Sequence, residues 1–182
     1  MWYNILVVVE FGIAFRQELL MVSFKIADVK DFMNKLLLGE VFDNFLLVSF
    51  EITGLTEITI DGIRNEFWYD EDEKISGRYV SWKELRNKVS LFIKGDRVPL
   101  AMKAVFRLSE ENTQKVAARL GINDAVERDY GLFFTLRFEK NEANLITGVS
   151  VTDFLINKQI GNLWDEDLLK FLKYYQIAVE ML

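Results

Sequence analysis

Apolar and polar residues alternate one by one in several stretches of the chain, which is the period of a β-strand with one buried and one wet face. Residues 46–52 show the pattern clearly, because Leu46, Val48, Phe50 and Ile52 occupy alternate positions. Strict alternation indicates strands covered on one side only. The pattern predicts strands at residues 23–27, 46–52, 56–63, 100–108, 132–138 and 145–154.

Helical spacing and capping residues separate these strands. Asp28 is a good N-cap for an amphipathic helix that begins at Val29, and Gly39 ends it. Ser81 and Glu84 have the spacing of a capping box, which places a second helix start there. The remaining predicted boundaries are a helix end at Gly95, a helix from Ser109 to Gly121, and a final helix that opens at Asp165.

The order of these elements predicts an α+β fold with a mostly antiparallel sheet and helices packed on one face. The order strand, helix, strand, strand occurs twice, in residues 23–63 and 100–154. A duplicated β-α-β-β unit explains the recurrence. The alternative is convergence, because any sheet covered on one side by helices produces such patterns.

The domain organisation follows from the same pattern. Residues 21–182 are predicted to form a single α+β domain, and residues 1–20 an N-terminal extension or an extra strand. The first fifteen residues are apolar, but Asn4 and Glu10 interrupt them. A spanning helix needs about 20 apolar residues, so we do not expect a membrane anchor. Met21 is an alternative start to Met1.

Composition narrows the possible chemistry. The chain has 182 residues, of which 51% are hydrophobic, with fifteen Phe, so a full-sized core is expected. It contains no Cys and no His. Disulfides, thiolate nucleophiles and Cys-ligated metals are therefore excluded, and the usual side chain for proton transfer is missing. We expect no cofactor, no metal site, and a location in the cytoplasm.

Charge is segregated along the chain. Between Glu40 and Lys74 there are ten acidic and two basic residues, and between Arg78 and Arg107 eight basic and two acidic. We expect the basic block, together with the exposed sheet face and the helix at 81–94, to bind an acidic protein or nucleic acid, with Trp68, Tyr69 and Trp82 available for stacking. The alternative is that the basic helix pairs with the chain's own acidic loop. The candidate anion- or partner-binding residues are Lys83, Arg86, Lys94, Arg97, Lys103, Arg107 and Arg137.

A non-catalytic binding or interaction module is the first functional prediction, and two alternatives stay open. One is a carboxylate- and Lys-based enzyme, possibly Mg²⁺-dependent, that uses Asp61, Glu66, Asp70, Asp72 and Lys74. No standard catalytic motif supports it, so no catalytic residue is assigned. The other is an assembly protein that forms a homodimer through a sheet edge or an apolar C-terminal helix, exposing Ile177, Val179, Met181 and Leu182.

Several segments resemble an uncharacterised bacterial family known only as a domain of unknown function. They are FKIADVKDFM at 24–33, FDNFL at 42–46, TIDG at 59–62, IKGDRVPL at 93–100, RLSEEN at 107–112 and the helix that contains Trp164 and Asp165. The resemblance runs from about residue 21 to about residue 175. It implies a cytosolic bacterial protein and assigns no catalytic residues.

Overall fold

The structure, a computed structural model, describes residues 22–69, 77–93, 97–151 and 154–182, with only the backbone of Glu66, Phe154 and Leu155. Its strands are β1 (Ser23–Ile26), β2 (Leu46–Thr53), β3 (Glu57–Asp61), β4 (Ala101–Arg107), β5 (Gly131–Glu139), β6 (Glu142–Ser150) and β7 (Val179–Met181). Its helices are α1 (Val29–Leu37), α2 (Trp82–Ile93), α3 (Glu110–Ala118) and α4 (Phe154–Tyr174), and a 3₁₀ turn covers Glu66–Trp68.

The strands form one seven-stranded sheet in the order β3-β2-β4-β5-β6-β1-β7. Every neighbouring pair of strands is antiparallel. The predicted α+β fold with an antiparallel sheet is therefore confirmed. The β5–β6 hairpin turns through Lys140 and Asn141, whose positive φ angles of 53° and 64° match a tight two-residue turn.

An aromatic core joins the helices to one face of the sheet. Trp82 on α2 is fully buried and packs edge to face on Phe106 of β4, with ring centroids 5.2 Å apart. Phe106 stacks in turn on Phe134 of β5 at 5.0 Å. Phe42, in the loop after α1, contacts both of these phenylalanines and Phe171 of α4. Such ring pairs add to the burial of apolar area, and the helices cover this face.

The opposite face, which we call the open face, keeps most of its side chains at least partly exposed. Directly opposed residues form a row across it: Glu51, Lys103, Arg137, Asn144 and Lys25. Opposite charges meet within this row, because Lys103 lies 3.2 Å from Glu51. Lys25 reaches Glu142 at 2.7 Å. The open face therefore carries charges of both signs.

The predicted helix starts are confirmed where a side chain caps the backbone. The Asp28 carboxylate accepts a hydrogen bond from the Asp31 amide at 2.9 Å and begins α1. At the start of α2, the Glu84 carboxylate accepts from the Ser81 amide at 2.8 Å, as in a capping box. Ser109 accepts from the Asn112 amide at 3.3 Å and begins α3.

The C-terminal third of the chain differs from the sequence prediction. Helix α4 begins at Phe154, so Asp165 lies inside it rather than at its N-cap. The apolar spacing that defines its buried face, at residues 156, 160, 164, 168 and 172, starts well before Asp165. Residues 177–182 do not extend a helix either. Ile177 is buried, and Val179–Met181 forms β7 on the sheet edge beside β1.

The two β-α-β-β units occupy different environments in the sheet. Both are present in the order β1-α1-β2-β3 and β4-α3-β5-β6. In the second unit, the first strand β4 pairs with β5 of its own hairpin. In the first unit, β1 pairs with β6 and β7 rather than with β2. The units are therefore not related by equivalent strand neighbours, and a duplication stays a prediction.

Candidate functional site

Arg86, one of the predicted binding residues, is buried and stabilises the fold. Its Nε lies 2.8 Å from Oδ1 of Asp43 and its Nη2 lies 3.1 Å from Oδ2. Its Nη1 donates to the Leu38 carbonyl at 2.9 Å. Both charged side chains are buried, so this two-pronged pair ties α2 to the loop after α1. Arg86 does not lie on the predicted binding surface.

Arg107 is also enclosed rather than exposed. Its Nη2 donates to Asp129 at 2.8 Å and to the Tyr130 carbonyl at 3.1 Å. The guanidinium lies over the rings of Tyr79 and Phe133, 5.8 and 5.7 Å from their centroids. Arg107 is therefore buried against two aromatic rings and a carboxylate and does not lie on the predicted partner-binding surface.

The other predicted basic residues lie on two sides of the molecule. Lys83 is exposed on α2 in the helical layer, whereas Lys103 and Arg137 lie on the open face behind it. Arg137 has no carboxylate partner in the part of the chain that the structure describes. Because the sheet separates the two groups, the predicted residues do not form one surface. Lys94 lies outside the described residues.

Of the aromatic residues predicted to stack on a ligand, Trp82 cannot do so. It is fully buried, and its indole N–H donates to the Leu36 carbonyl at 2.8 Å. Tyr69 is partly buried, and its hydroxyl accepts a hydrogen bond from Arg64. Only Trp68 is exposed among these three residues, at 83%.

The structure brings together a different site, an apolar groove of about 500 Å³ beside α1. We call it the α1 groove. Its residues come from α1, from the end of α2, from the segment at 97–99 and from the sheet end near the β5–β6 turn. They are Val29, Lys30, Met33, Asn34, Leu37, Ile93, Arg97, Val98, Pro99, Met102, Phe138 and Asn141.

The α1 groove is apolar because α1 presents two adjacent stripes. Phe32 and Leu36 point into the core and are fully buried. Met33 and Leu37, one position further round the helix, are half-buried and line the groove. A helix with a wide apolar face can fill the core with one stripe and leave the other for a ligand. The sequence pattern alone assigned both stripes to the core.

The charged residues of the α1 groove are all cationic. Lys30 and Arg97 are its two charged lining residues, and Asn34 and Asn141 add two amides. No carboxylate belongs to the lining that the structure describes, although the chain carries a net charge of −6. Both cations are exposed and have no ion-pair partner among the described residues. Arg97 was among the predicted binding residues. Lys30 was missed because a single Lys in an amphipathic helix carries no signal.

An ion-pair network that sequence reasoning missed fixes the first turn of α2. Arg64 binds both oxygens of Glu84, at 2.9 and 3.0 Å. Burial raises the pKa of Glu84, but hydrogen bonds from Arg64 and Ser81 outweigh that effect and lower it to about 2. The network holds the 3₁₀ turn against α2. Its role is structural, and none of Arg64, Ser81 and Glu84 lines the α1 groove.

Of the residues predicted for carboxylate chemistry, only Asp61 has a side chain in the described part of the chain. Asp61 is exposed, and its Oδ1 accepts a hydrogen bond from the Ile63 amide at 2.9 Å. Asp70, Asp72 and Lys74 lie outside the described residues, as does the side chain of Glu66. Within the described ranges, no group of three or more acidic residues could hold a metal ion. The enzyme alternative stays a prediction.

The chain belongs to a family of unknown function, DUF5721, which it matches over residues 35–180. The resemblance seen in the sequence segments is therefore confirmed. The matched range contains β2 to β6 and most of the residues of the α1 groove, whereas Val29, Lys30, Met33 and Asn34 precede it. No curated protein and no solved structure matches the chain. Of the helices that could be searched, none is long and apolar enough to cross a membrane.

Proposed function

We propose that the protein is a non-catalytic binding module whose α1 groove holds an acidic segment of another polypeptide that carries large apolar side chains. The observation that carries the proposal is the lining of the groove, which is apolar at its base and purely cationic in its charged residues. The chain is acidic overall, yet no carboxylate belongs to the described lining of this groove. This distribution of charge favours an anionic ligand with apolar groups at the groove.

Exposed residues around the α1 groove favour a polypeptide over a small molecule. Leu91 and Phe92 lie in the last turn of α2, next to the lining residue Ile93, and are 71% and 56% exposed. Val98, which lines the groove, is 68% exposed. Lys88 is exposed on the same helix. A ligand confined to the groove would leave Leu91, Phe92 and Lys88 uncovered, whereas an extended segment can cover apolar and cationic residues together.

Nucleic acid is disfavoured as the ligand. Arg86 and Arg107 are committed to internal partners, and Lys103 has Glu51 beside it. The remaining cations lie on both sides of the sheet, so they cannot follow one phosphate backbone. The net charge of −6 opposes a polyanion at long range. An acidic peptide with apolar side chains needs only the local field of Lys30 and Arg97.

The test is a titration of methionine-methyl-labelled protein with a short synthetic peptide of Asp, Glu, Leu and Trp. Met33 and Met102 line the α1 groove, and Met181 lies on the edge strand β7. We expect the methyl signals of Met33 and Met102 to shift while that of Met181 does not. A peptide with Lys and Arg in place of Asp and Glu should not bind. Equal shifts at all three methyls, or none, would contradict the proposal.

Charge reversal at the groove sharpens the test. Arg97→Glu should weaken binding of the acidic peptide by at least about tenfold, since it replaces an attractive charge with a repulsive one. Lys158→Glu is the matched control, because Lys158 is exposed on α4 and does not line the groove. Higher salt should weaken binding to wild-type protein. Equal loss in both variants would point to net charge rather than to this groove.

We also propose that the protein acts in the cytoplasm of a bacterial cell. The absence of Cys and the bacterial family that the sequence resembles support this location. Fractionation of cells that express the full chain tests it, and recovery in a membrane or secreted fraction would contradict it.

A further inference from the structure

The most exposed aromatic residues of the described chain lie side by side. Phe67 is 100% and Trp68 83% exposed, and both belong to the 3₁₀ turn Glu66–Trp68. We call this pair the aromatic knob. Large apolar side chains in water are unfavourable, and Trp in particular is enriched among the residues that dominate protein interfaces. The knob therefore has the character of a contact element.

The aromatic knob is anchored to the body of the protein. The Trp68 amide donates to the Asn65 carbonyl at 3.1 Å, and the Phe67 amide donates to the Asn65 side-chain oxygen at 3.1 Å. The preceding residue, Arg64, binds Glu84 at the start of α2 through two hydrogen bonds. A contact element that is already ordered loses less conformational entropy on binding.

The aromatic knob and the α1 groove are associated with opposite ends of α2. Glu84, in the first turn, binds Arg64 three residues before the knob, and Ile93, the last residue, lines the groove. Along the helix axis, Glu84 and Ile93 are separated by about 14 Å. The knob therefore cannot enter the groove of its own molecule, but it can reach the groove of another.

The two elements are complementary in chemistry. The knob offers two large apolar side chains, preceded in the sequence by Glu66 and followed by four acidic residues at 70–73. The groove offers about 500 Å³ of apolar space with Lys30 and Arg97 as its charged residues. An acidic segment with large apolar side chains is the ligand class proposed for the groove, and this chain carries such a segment itself.

We propose that the aromatic knob of one copy binds in the α1 groove of a second copy, so that the protein self-associates head to tail. The inference rests on the proposed function, because it uses the same groove and names its occupant. Knob and groove are different surfaces, so the contact is heterologous and each added copy leaves one free knob and one free groove. Two aromatic side chains bury only about 400 Å². The association is therefore weak, with a dissociation constant in the micromolar range or above.

Sedimentation velocity of the full chain over a wide concentration range tests the proposal. We expect the average sedimentation coefficient of wild-type protein to rise steadily with concentration. The double variant Phe67→Ala with Trp68→Ala and the variant Arg97→Glu should each stay monomeric. Tyr174→Ala is the matched control and should associate like wild type, since Tyr174 is 79% exposed at the end of α4 and belongs neither to the knob nor to the lining of the groove.

Mixing the two monomeric variants is the decisive step. One retains the groove and the other retains the knob, so together they should form a one-to-one dimer that grows no further. A wild-type monomer at all concentrations, continued association of the double variant, or a mixture that stays monomeric would each overturn the inference. A symmetric dimer through β7 would appear as association that the knob substitutions do not reduce.

The peptide titration separates this inference from the proposed function. Shifts of the Met33 and Met102 methyls with the acidic peptide, without self-association, would overturn the head-to-tail contact and leave the function of the groove supported. No shift and no self-association would overturn both. Self-association that the acidic peptide inhibits in competition would support both.

Discussion

The two ends of helix α2 differ in whether their side chains have partners inside the protein or are exposed to solvent. At the first turn and the turn that follows, Trp82 is buried, Glu84 binds Arg64, and Arg86 binds Asp43. At the last turn, Leu91 and Phe92 remain exposed, and the next residue, Ile93, lines the α1 groove. One end holds the fold together, and the other leaves large apolar side chains exposed.

The comparison shows that the role of a charged residue depends on what lies within reach of it. Arg86 and Arg97 belong to the same basic block of the sequence. Arg86 has the Asp43 carboxylate at 2.8 Å, whereas Arg97 has no carboxylate partner among the described residues. A buried ion pair that is joined by two hydrogen bonds serves the fold. A free cation on an apolar rim is available to a ligand.

The largest expected difference between the two ends concerns burial. Trp82→Ala should lower the free energy of unfolding by about 3–5 kcal/mol, because it leaves a cavity beside Phe106 and removes the hydrogen bond to Leu36. Phe92→Ala, at the other end of the same helix, should change it by less than about 0.5 kcal/mol. Urea unfolding of both variants measures this. Similar losses would contradict the comparison.

The next expected effect concerns the buried pair. Asp43→Ala should destabilise the protein by about 3 kcal/mol, because Arg86 would keep its charge in a buried site with only the Leu38 carbonyl as partner. Replacing both residues by apolar ones, Asp43→Leu with Arg86→Met, should recover most of the loss. A double variant as unstable as the single one would show that the pair is needed for more than charge compensation.

A smaller, pH-dependent effect is expected at Glu84. Its folded pKa of about 2 lies below the ordinary value of 4.5, so its stabilising contribution is present above pH 4.5 and is lost as the pH falls towards 2. Glu84→Gln should cost about 1 kcal/mol at pH 7, since the carboxylate is partly exposed and screened by water. The gap to wild type, measured by urea unfolding, should close at low pH. A gap that persists there would contradict the assignment.

The smallest expected effect on stability is at the groove. Arg97→Ala should leave the free energy of unfolding within about 0.5 kcal/mol of wild type, because Arg97 has no ion-pair partner among the described residues to lose. The same variant should weaken binding of the acidic peptide. A large loss of stability would show that Arg97 serves the fold, as Arg86 does, and would remove the distinction between the two ends.

Sequence reasoning located most of the fold because the local signals were strong. Alternation located β2 and β4 to within a residue or two, and the caps at Asp28 and Ser81 located the starts of two helices. The start of α4 was misplaced, because Asp165 looks like an N-cap when the preceding residues are assigned to a strand. Inside the helix it is partly buried, and that burial raises its pKa.

The candidate site could be predicted only in part, because its residues are far apart in the chain. Arg97 was identified from charge, but Met33, Phe138 and Asn141 come from three separate elements. The sequence around each of them indicates only a core residue or a turn residue. Equally, nothing local distinguishes the buried Arg107 from the exposed Arg137 on the neighbouring strand, since both alternate with core residues.

By itself, the sequence determined the fold class, most strands and helix starts, and the exclusion of thiol and imidazole chemistry, because periodicity, capping and composition are local properties. Only the tertiary structure decided which cations are free. An ion pair such as Arg86 with Asp43 joins residues that are distant in the chain, and whether a charge is neutralised depends on that distance in space. The groove arises in the same way, from the space that α1, α2 and the sheet end leave between them.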